Sequence, residues 1–393
     1  MERPGADGRE STEGVGGERG SGSSRHGSID HQTIDRYETG AARWEARRSP
    51  TYLDEARALA GRIEAAGVGG PTIDLGCGTG WYAPVLPAPV VALDAARSML
   101  ERAAVHAPAA LAVQADLAVL PLRGTALAGA WARNSYVHLA QAHVPAALAE
   151  LHRCLRPGAP VEITFFGGQG EGRDLVRNDD LPGRFFSLWS PDRLLDVVEG
   201  AGFDLARLVP RTGRDGETSY DVRAVRAVSL PDHVAVGMDM LVCGLNPSLY
   251  AAEAGVGYAR PGNRFWPAAL AAGLASRDRD PGHALRHHGL GMTDLVKRAT
   301  VAASELTAAE YRSGFGRVER LAEWLAPGAV CFVGLAGWRA AVDRAGTAGP
   351  QERRVGGRPA YVMPSTSGLN ARVALPELAG HLRAASRLAR APR

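Results

Sequence analysis

The sequence predicts an α/β protein made of two three-layer αβα domains. Three observations carry that expectation. The chain has 393 residues, long for a single hydrophobic core and comfortable for two. Short apolar strand-like runs alternate with helical runs, the βαβ rhythm that builds a parallel sheet with helices on both faces. That rhythm ends near Val228 and a second one starts at Met238 with a new apolar strand. The expected division is a polar tail over 1–33, a first domain over 34–229 and a second over 230–393. No internal repeat relates the two halves.

The elements follow in order. Residues 34–65 show helical apolar spacing. PTIDLG is a strand running into a glycine turn, and VVALD is a second strand. SMLERAAVHA is a helix, LAVQAD a third strand and GAWARNSYVHL a fourth. VPAALAELHRCLRPG is a helix with a Pro-Gly stop, and APVEITFFGG a fifth strand. An arginine-rich loop precedes the helix SPDRLLDVVEGAGF, which has a serine N-cap and a glycine stop. Strand-like segments continue to Val228. In the second half MDMLVCGL is a strand, NRFWPAALAAGL a helix and GLGMTDLVKR a loop with a short strand. AAEYRSGFGRVERLAEWLAPG is a helix, AVCFVGL a strand and AGWRAAVDRAG a helix. PAYVMPSTSG is a final strand and loop, and LPELAGHLRAASRLARA closes the chain as a helix.

Composition narrows the function. A hydrophobic fraction of 45% and a charged fraction of 22% are those of a soluble globular protein. There is no apolar run of membrane-spanning length. The N-terminal stretch is rich in Gly, Ser and Arg, lacks the apolar core of a secretory signal, and reads as disordered. The four cysteines, Cys77, Cys154, Cys243 and Cys331, form no CxxC pair. That argues against a zinc or iron–sulfur site and for buried thiols in a reducing bacterial cytoplasm. A net charge of +3 permits DNA binding without demanding it.

The first chemical constellation is Asp74-Leu75-Gly76-Cys77-Gly78-Thr79-Gly80, placed after a strand. Glycines let a backbone turn tightly against a ligand. Asp94 ends the next strand, where an acid can accept from ribose hydroxyls. Asp116 follows a third strand. Together these residues resemble the class I S-adenosylmethionine-dependent methyltransferases, over about 34–228, with their Rossmann-like fold. The resemblance implies that Gly76, Gly78 and Gly80 pass the amino-acid end of S-adenosyl-L-methionine, that Asp94 holds its ribose, and that Asp116 holds the adenine amino group. The methyl acceptor is not legible. The tip of the fourth strand lacks the Asn/Asp-Pro-Pro-aromatic motif of DNA amino-methyltransferases. Asn134, Tyr136 and His138 could line an acceptor pocket or be a plain strand end.

The second constellation is Gly244-Leu245-Asn246-Pro247, again at the carboxyl end of a strand. An amide there can accept from a water and aim it as a nucleophile. Tyr258 offers a flat face to an extruded base, and Ser248 a donor for the departing pyrimidine oxygen. Asn263, Arg264, Phe265 and Trp266 open a helix. These residues, with Pro261, resemble the mismatch-specific uracil/thymine-DNA glycosylases of the uracil-DNA glycosylase superfamily, over about 232–385. The resemblance implies a base pocket of Gly244, Leu245, Pro247, Ser248, Tyr258 and Asn263 around Asn246. It also implies that Ser367, Gly368, Leu369, Asn370 and Arg372 form a loop that wedges into the duplex, with Leu369 as the plug. Arg372 stands three residues after that leucine, where the family usually has two.

The functional expectation is thus a monofunctional glycosylase acting on uracil, and on thymine or modified pyrimidines, opposite guanine in double-stranded DNA. It is fused to a methyltransferase of unknown acceptor. The glycosylase needs no cofactor and no metal, no membrane is involved, and the chain acts as a cytoplasmic monomer associated with the nucleoid through DNA. A methyltransferase with a non-catalytic DNA-targeting half stays open as the alternative, as does a glycosylase whose first half only binds the cofactor or a partner.

Overall fold

The computed structural model describes residues 29–176, 179–213, 216–370 and 372–391. In the first part, helices α1 (His31–Arg47) and α2 (Leu53–Ala66) precede β1 (Thr72–Leu75) and β2 (Val90–Asp94). Then come α3 (Arg97–His106), β3 (Leu111–Gln114), β4 (Gly129–Ala132), α4 (Val144–Cys154) and β5 (Pro160–Gly167). The part closes with β6 (Glu171–Arg173), β7 (Phe185–Trp189), α5 (Pro191–Gly200), β8 (Phe203–Thr212) and β9 (Thr218–Arg226). The second part begins with β10 (Met240–Gly244), α6 (Leu249–Ala254), α7 (Phe265–Ala271), α8 (Pro281–His288) and β11 (Leu290–Asp294). It continues through α9 (Ala308–Leu325), β12 (Ala329–Val333), α10 (Leu335–Ala341), β13 (Gly349–Val355), β14 (Arg358–Met363) and α11 (Leu375–Arg390).

These elements form two α/β domains, each with its own sheet. The first sheet runs β3-β2-β1-β4-β5-β7-β6, with β9 also paired to β5 and β8 to β9. The second runs β11-β10-β12-β14-β13. Neither sheet is wholly parallel, although the sequence rhythm implies a parallel one. The β8–β9 hairpin lies antiparallel on β5, and β13 lies antiparallel on β14. In both cases a short turn replaces a helical crossover, and a short turn can only reverse the chain.

Side-chain alternation explains the burial of both faces. In β4, Ala130 and Ala132 enter one core while Trp131 enters another with α2. In β12, Cys331 and Val333 face one core, Val330 and Phe332 the other. All four cysteines are free and buried. No helix among the described residues is long and apolar enough to cross a membrane.

Several local differences from the sequence reading have identifiable causes. Residues 34–65 are two helices, interrupted at residues 48–52. The polar tail is shorter than expected: Ile29 is buried, and Asp30 caps α1 by accepting from the Thr33 amide at 2.9 Å. Residues 1–28 of that tail lie outside the described residues. The fourth strand stops at Ala132 because Asn134 takes a left-handed φ of 55°. Helix α8, unassigned from sequence, has the Asp280 N-cap and the left-handed Gly289 stop that a helix needs.

A buried polar seam joins the domains. Asp232, 4% exposed, sits in the segment between β9 and β10. Its carboxylate accepts from Lys297 Nζ at 2.8 Å, Arg317 Nη1 at 2.8 Å and Thr293 Oγ1 at 2.6 Å. Its amide donates to Gly200 O of α5 at 2.8 Å. Around it, Arg320 pairs with Asp196 and Trp324 sets its edge on Trp189 at 6.1 Å between centroids. Burial disfavours the charged form of Asp232, but Arg317 and Lys297 outweigh burial and hold its pKa below the ordinary range. Removing the acid of such a cluster strands its two cations without a counter-charge. Asp232→Ala is therefore expected to lower unfolding free energy by about 3–5 kcal/mol, measured by denaturant titration. A loss below about 1 kcal/mol, the scale of an exposed pair, contradicts this account of the seam.

Candidate active sites

The first site is a cavity at the carboxyl ends of β1 and β2. Gly76, Gly78 and Gly80 all have positive φ. A side chain on Gly76 would strike Ser135, and one on Gly80 would meet Ala103 Cα at 2.8 Å. A side chain on Gly78 would meet nothing within 4 Å, because this glycine faces the open cavity. The turn is fixed by Asp94, which accepts from the Gly78 and Ala96 amides at 2.9 Å each.

Two desolvated acids share this cavity. Asp74 is 1% exposed and its Oδ2 has no hydrogen-bond partner. Burial, with the charge of Asp94 added, pushes its pKa up to about 8. Burial also raises Asp94 to about 6, against the pull of its amide donors. An orphaned carboxylate oxygen beside a second acid is a site for a cation.

The structure gathers Asp74, Gly76, Gly78 and Asp94 on one cavity wall. It does not bring Asp116 to that wall: its oxygens accept from the Ile29 amide at 2.9 Å and the Ala118 amide at 2.8 Å. Gly80 is turned toward α3 instead.

The facing wall was largely invisible in the sequence. It includes Tyr37, Trp44, Tyr52 and Arg133. Arg133 donates to Asp221 at 2.7 Å and to Thr164 at 2.8 Å, and Tyr52 covers its guanidinium at 3.2 Å. Its Nε is buried without a partner, as is Asn134 Oδ1. Of the three acceptor-pocket candidates, Asn134 and His138 line the cavity, whereas Tyr136 is fully buried in the core. His138 Nδ1 faces the Phe185 carbonyl at 2.7 Å, so it carries the hydrogen. Its Nε2 then accepts from Tyr37 OH at 2.9 Å. Burial lowers its pKa to about 3, and the imidazole is a neutral, fixed strut.

The second site lies at the carboxyl edge of the other sheet. Because β10, β11, β12 and β14 are parallel, Asn246, Asp294 and the 364–372 loop all emerge on one edge. Asn246 Nδ2 reaches Arg298 O at 3.0 Å, Thr300 Oγ1 at 2.8 Å and Pro247 O at 3.1 Å. Two of these are carbonyl oxygens, which only accept, so the amide orientation is determined. Among the described residues no donor reaches its Oδ1, which stays free for a water.

Gly244 opens this motif and is register-paired with Asp294. The Asp294 carboxyl occupies the space a Gly244 side chain would need, and Tyr258 OH lies 3.0 Å from that point. Tyr258 OH is buried without a partner, and its ring stacks on Phe265 at 4.2 Å, leaving one face. Burial raises Asp294 to about 6, with Lys297 pulling the other way. Asp294 was missed at sequence level; its signal was an acid ending the strand parallel to Gly-Leu-Asn-Pro. The remaining candidates support the frame. Ser248 Oγ caps α6 by accepting from Ala251 at 3.2 Å, Pro247 is buried and Leu245 half-buried. Asn263 Oδ1 accepts from the Phe265 amide at 3.0 Å.

The wedge candidates form a tied loop. Asn370 Nδ2 donates to Ser365 O at 2.9 Å, and the Leu369 amide to Ser367 Oγ at 3.3 Å. Arg264, read from sequence only as part of a helix opening, holds the loop through Ser367 O, Asn370 O and Val373 O. A side chain on Gly368 would meet Gly262 O at 2.9 Å. Leu369 is 92% exposed, and Arg372 is also exposed. Among the described residues no cluster of side chains could hold a metal ion.

Residues 73–158 match the methyltransferase domain family, and residues 231–382 match the uracil DNA glycosylase superfamily. The chain is also similar to a SAM-dependent methyltransferase from Methanosarcina mazei, at 14% identity over 40% of this chain and 92% of that one, with a TM-score of 0.35. A second is Burkholderia thailandensis 1,6-didemethyltoxoflavin-N1-methyltransferase, at 17% identity over 50% and 89%, with a TM-score of 0.39. The paired acids Asp74 and Asp94 fit a sulfonium cofactor with an ammonium group, and Gly78 leaves it room. The chain is an N-terminal domain of S-adenosylmethionine-binding methyltransferase type fused to a C-terminal domain of the uracil DNA glycosylase superfamily.

Proposed function

We propose that the C-terminal domain is a monofunctional DNA glycosylase. It hydrolyses the N-glycosidic bond of uracil, and of thymine or a modified pyrimidine, opposite guanine, while the N-terminal domain methylates a separate acceptor. The observation that carries the glycosylase reading is the clamped amide of Asn246, with its Oδ1 free at the sheet edge that also bears Leu369. An amide is no base, so Asn246 orients water rather than deprotonating it. The bond breaks by departure of the base, with positive charge developing on the sugar. Tyr258 offers the ring face not stacked on Phe265 to the extruded base, and Leu369 fills the space left in the duplex. A lyase step needs an amine nucleophile. Lys297 is the single lysine of the chain, and its ammonium is committed to Asp232.

In the N-terminal domain the bound cofactor supplies an electrophilic methyl group. Asp74 and Asp94 balance its positive charge. Arg133 Nε and Asn134 Oδ1 offer a donor and an acceptor to the methyl acceptor, and His138 keeps Tyr37 in place.

Asn246→Ala is expected to slow single-turnover uracil release from a G·U duplex by at least about tenfold, with affinity for an abasic duplex retained. Release at the wild-type rate rules out Asn246 as the water-positioning residue. No release by wild type from any pyrimidine opposite guanine rules out the glycosylase itself.

Asp294 gives a pH signature. Negative charge builds on the departing base, and an ionised carboxylate nearby opposes it, while a protonated one does not. Uracil release should therefore rise as pH falls through about 6, the value to which burial raises Asp294. Asp294→Asn should release uracil roughly tenfold faster near pH 7.5 and flatten that profile. A slower variant would mean that the carboxylate assists the reaction.

The cofactor site has the opposite sign. Asp74 is protonated below about 8, and a cation needs it ionised. The preference for S-adenosylmethionine over its neutral-sulfur product should grow by roughly tenfold between about pH 6 and 9. Asp74→Asn should remove that slope in calorimetry. A ratio independent of pH in wild type contradicts the charge-balancing role of Asp74.

A further inference from the structure

We propose that Lys297 and Asp232 are positioning residues for the glycosylase, so that the methyltransferase domain forms part of the frame that aims Asn246. This rests on the glycosylase reading of Asn246 given above. The side chain of Asn246 hangs on the 294–300 segment through Arg298 O and Thr300 Oγ1. The backbones of the two segments are zipped as well. Leu295 donates to Gly244 O at 2.9 Å, Val296 to Leu245 O at 3.0 Å and Thr300 to Pro247 O at 3.2 Å.

The far side of the 294–300 segment is anchored in the seam. Lys297 Nζ binds Asp232, and Lys297 O accepts from Ser229 Oγ at 2.6 Å. Asp232 is tied in turn to Gly200 O of the first domain. A continuous path of two polar links thus runs from α5 through Asp232 to Lys297, the residue before Arg298.

Two features set this path apart from ordinary core packing. Arg or Lys occurs 45 times in the chain, and Lys297 is the one lysine. It is 6% exposed and lies beside Arg317, with which it shares a single carboxylate. A compact ammonium fits there, whereas a second planar guanidinium demands more room. Gly200 completes the fit: a side chain on it would meet Asp232 Oδ2 at 2.5 Å and Arg317 Nη1 at 3.0 Å. Alanine normally favours a helix over glycine, so Gly200→Ala disturbs the seam from the methyltransferase side without weakening α5 itself.

The test uses the full chain. Lys297→Met removes one of two cations and leaves Asp232 and Arg317 as a balanced pair, so the fold should survive. The expected result is a loss of about tenfold in single-turnover base release with abasic-duplex affinity within about twofold of wild type. Amide hydrogen exchange over 244–249 and 294–300 should quicken at the same time. Gly200→Ala should reproduce both effects. Unchanged release and unchanged exchange in Lys297→Met overturn the proposal. If wild type releases no base, the glycosylase reading has failed, and exchange over 244–249 alone decides whether Lys297 orders this segment. If Lys297→Met does not fold, Ser229→Ala, which cuts only the bond to Lys297 O, is read the same way.

Discussion

A carboxylate removed from water is unfavourable unless its surroundings replace the lost hydration. Asp232 has that replacement from Lys297, Arg317 and Thr293, three groups from different places in the second domain. Satisfying it fixes where β11 ends, where α9 lies and how the 294–300 segment leaves the sheet. Because the Asp232 amide also belongs to α5 through Gly200, the same demand sets one domain against the other. The seam is specific rather than merely adhesive: an apolar contact slides, while a carboxylate with three fixed donors has one acceptable placement.

What was legible in the sequence was what local backbone geometry dictates. The positive φ of Gly76, Gly78 and Gly80 demands glycine, so the turn announces itself. Asp94 and Asn246 end apolar strands, and strand ends are where such sheets bind ligands. Tertiary juxtaposition left no comparable mark. Asp294 lies across Gly244 only because β10 and β11 pair in that register. Arg264 read as a helix opening, yet it staples a loop about a hundred residues later in the chain. Tyr37 and Trp44 read as a helix face, and the break at residues 48–52 adds Arg48 and Tyr52 to the same cavity wall. Asp116 shows the converse: its position after β3 suggested a ligand, but the chain before α1 reaches it first.

The two sites differ in how they meet solvent. The first is walled by α1 and aromatic side chains, and Asp74 Oδ2, Arg133 Nε and Asn134 Oδ1 are buried there without partners. The second lies along an open sheet edge, with Leu249, Tyr250, Val301 and Leu369 exposed. An enclosed chamber suits a small molecule that can be surrounded; an open edge suits a polymer that passes across it. The 365–370 loop is held by Arg264 and its internal bonds, so little conformational entropy remains to be lost there on binding.

The single lysine has a practical consequence for how the molecule can be interrogated. A lysine-specific protease finds one cleavable bond in the chain, Lys297–Arg298, and that bond lies within the seam. Cleavage therefore requires the seam to open, and its rate reports that opening alone, without interference from frayed ends or surface loops. Amine-reactive dyes likewise meet only the α-amino group while the seam stays closed. The protein thus carries, by composition, a built-in reporter of the separation of its two halves.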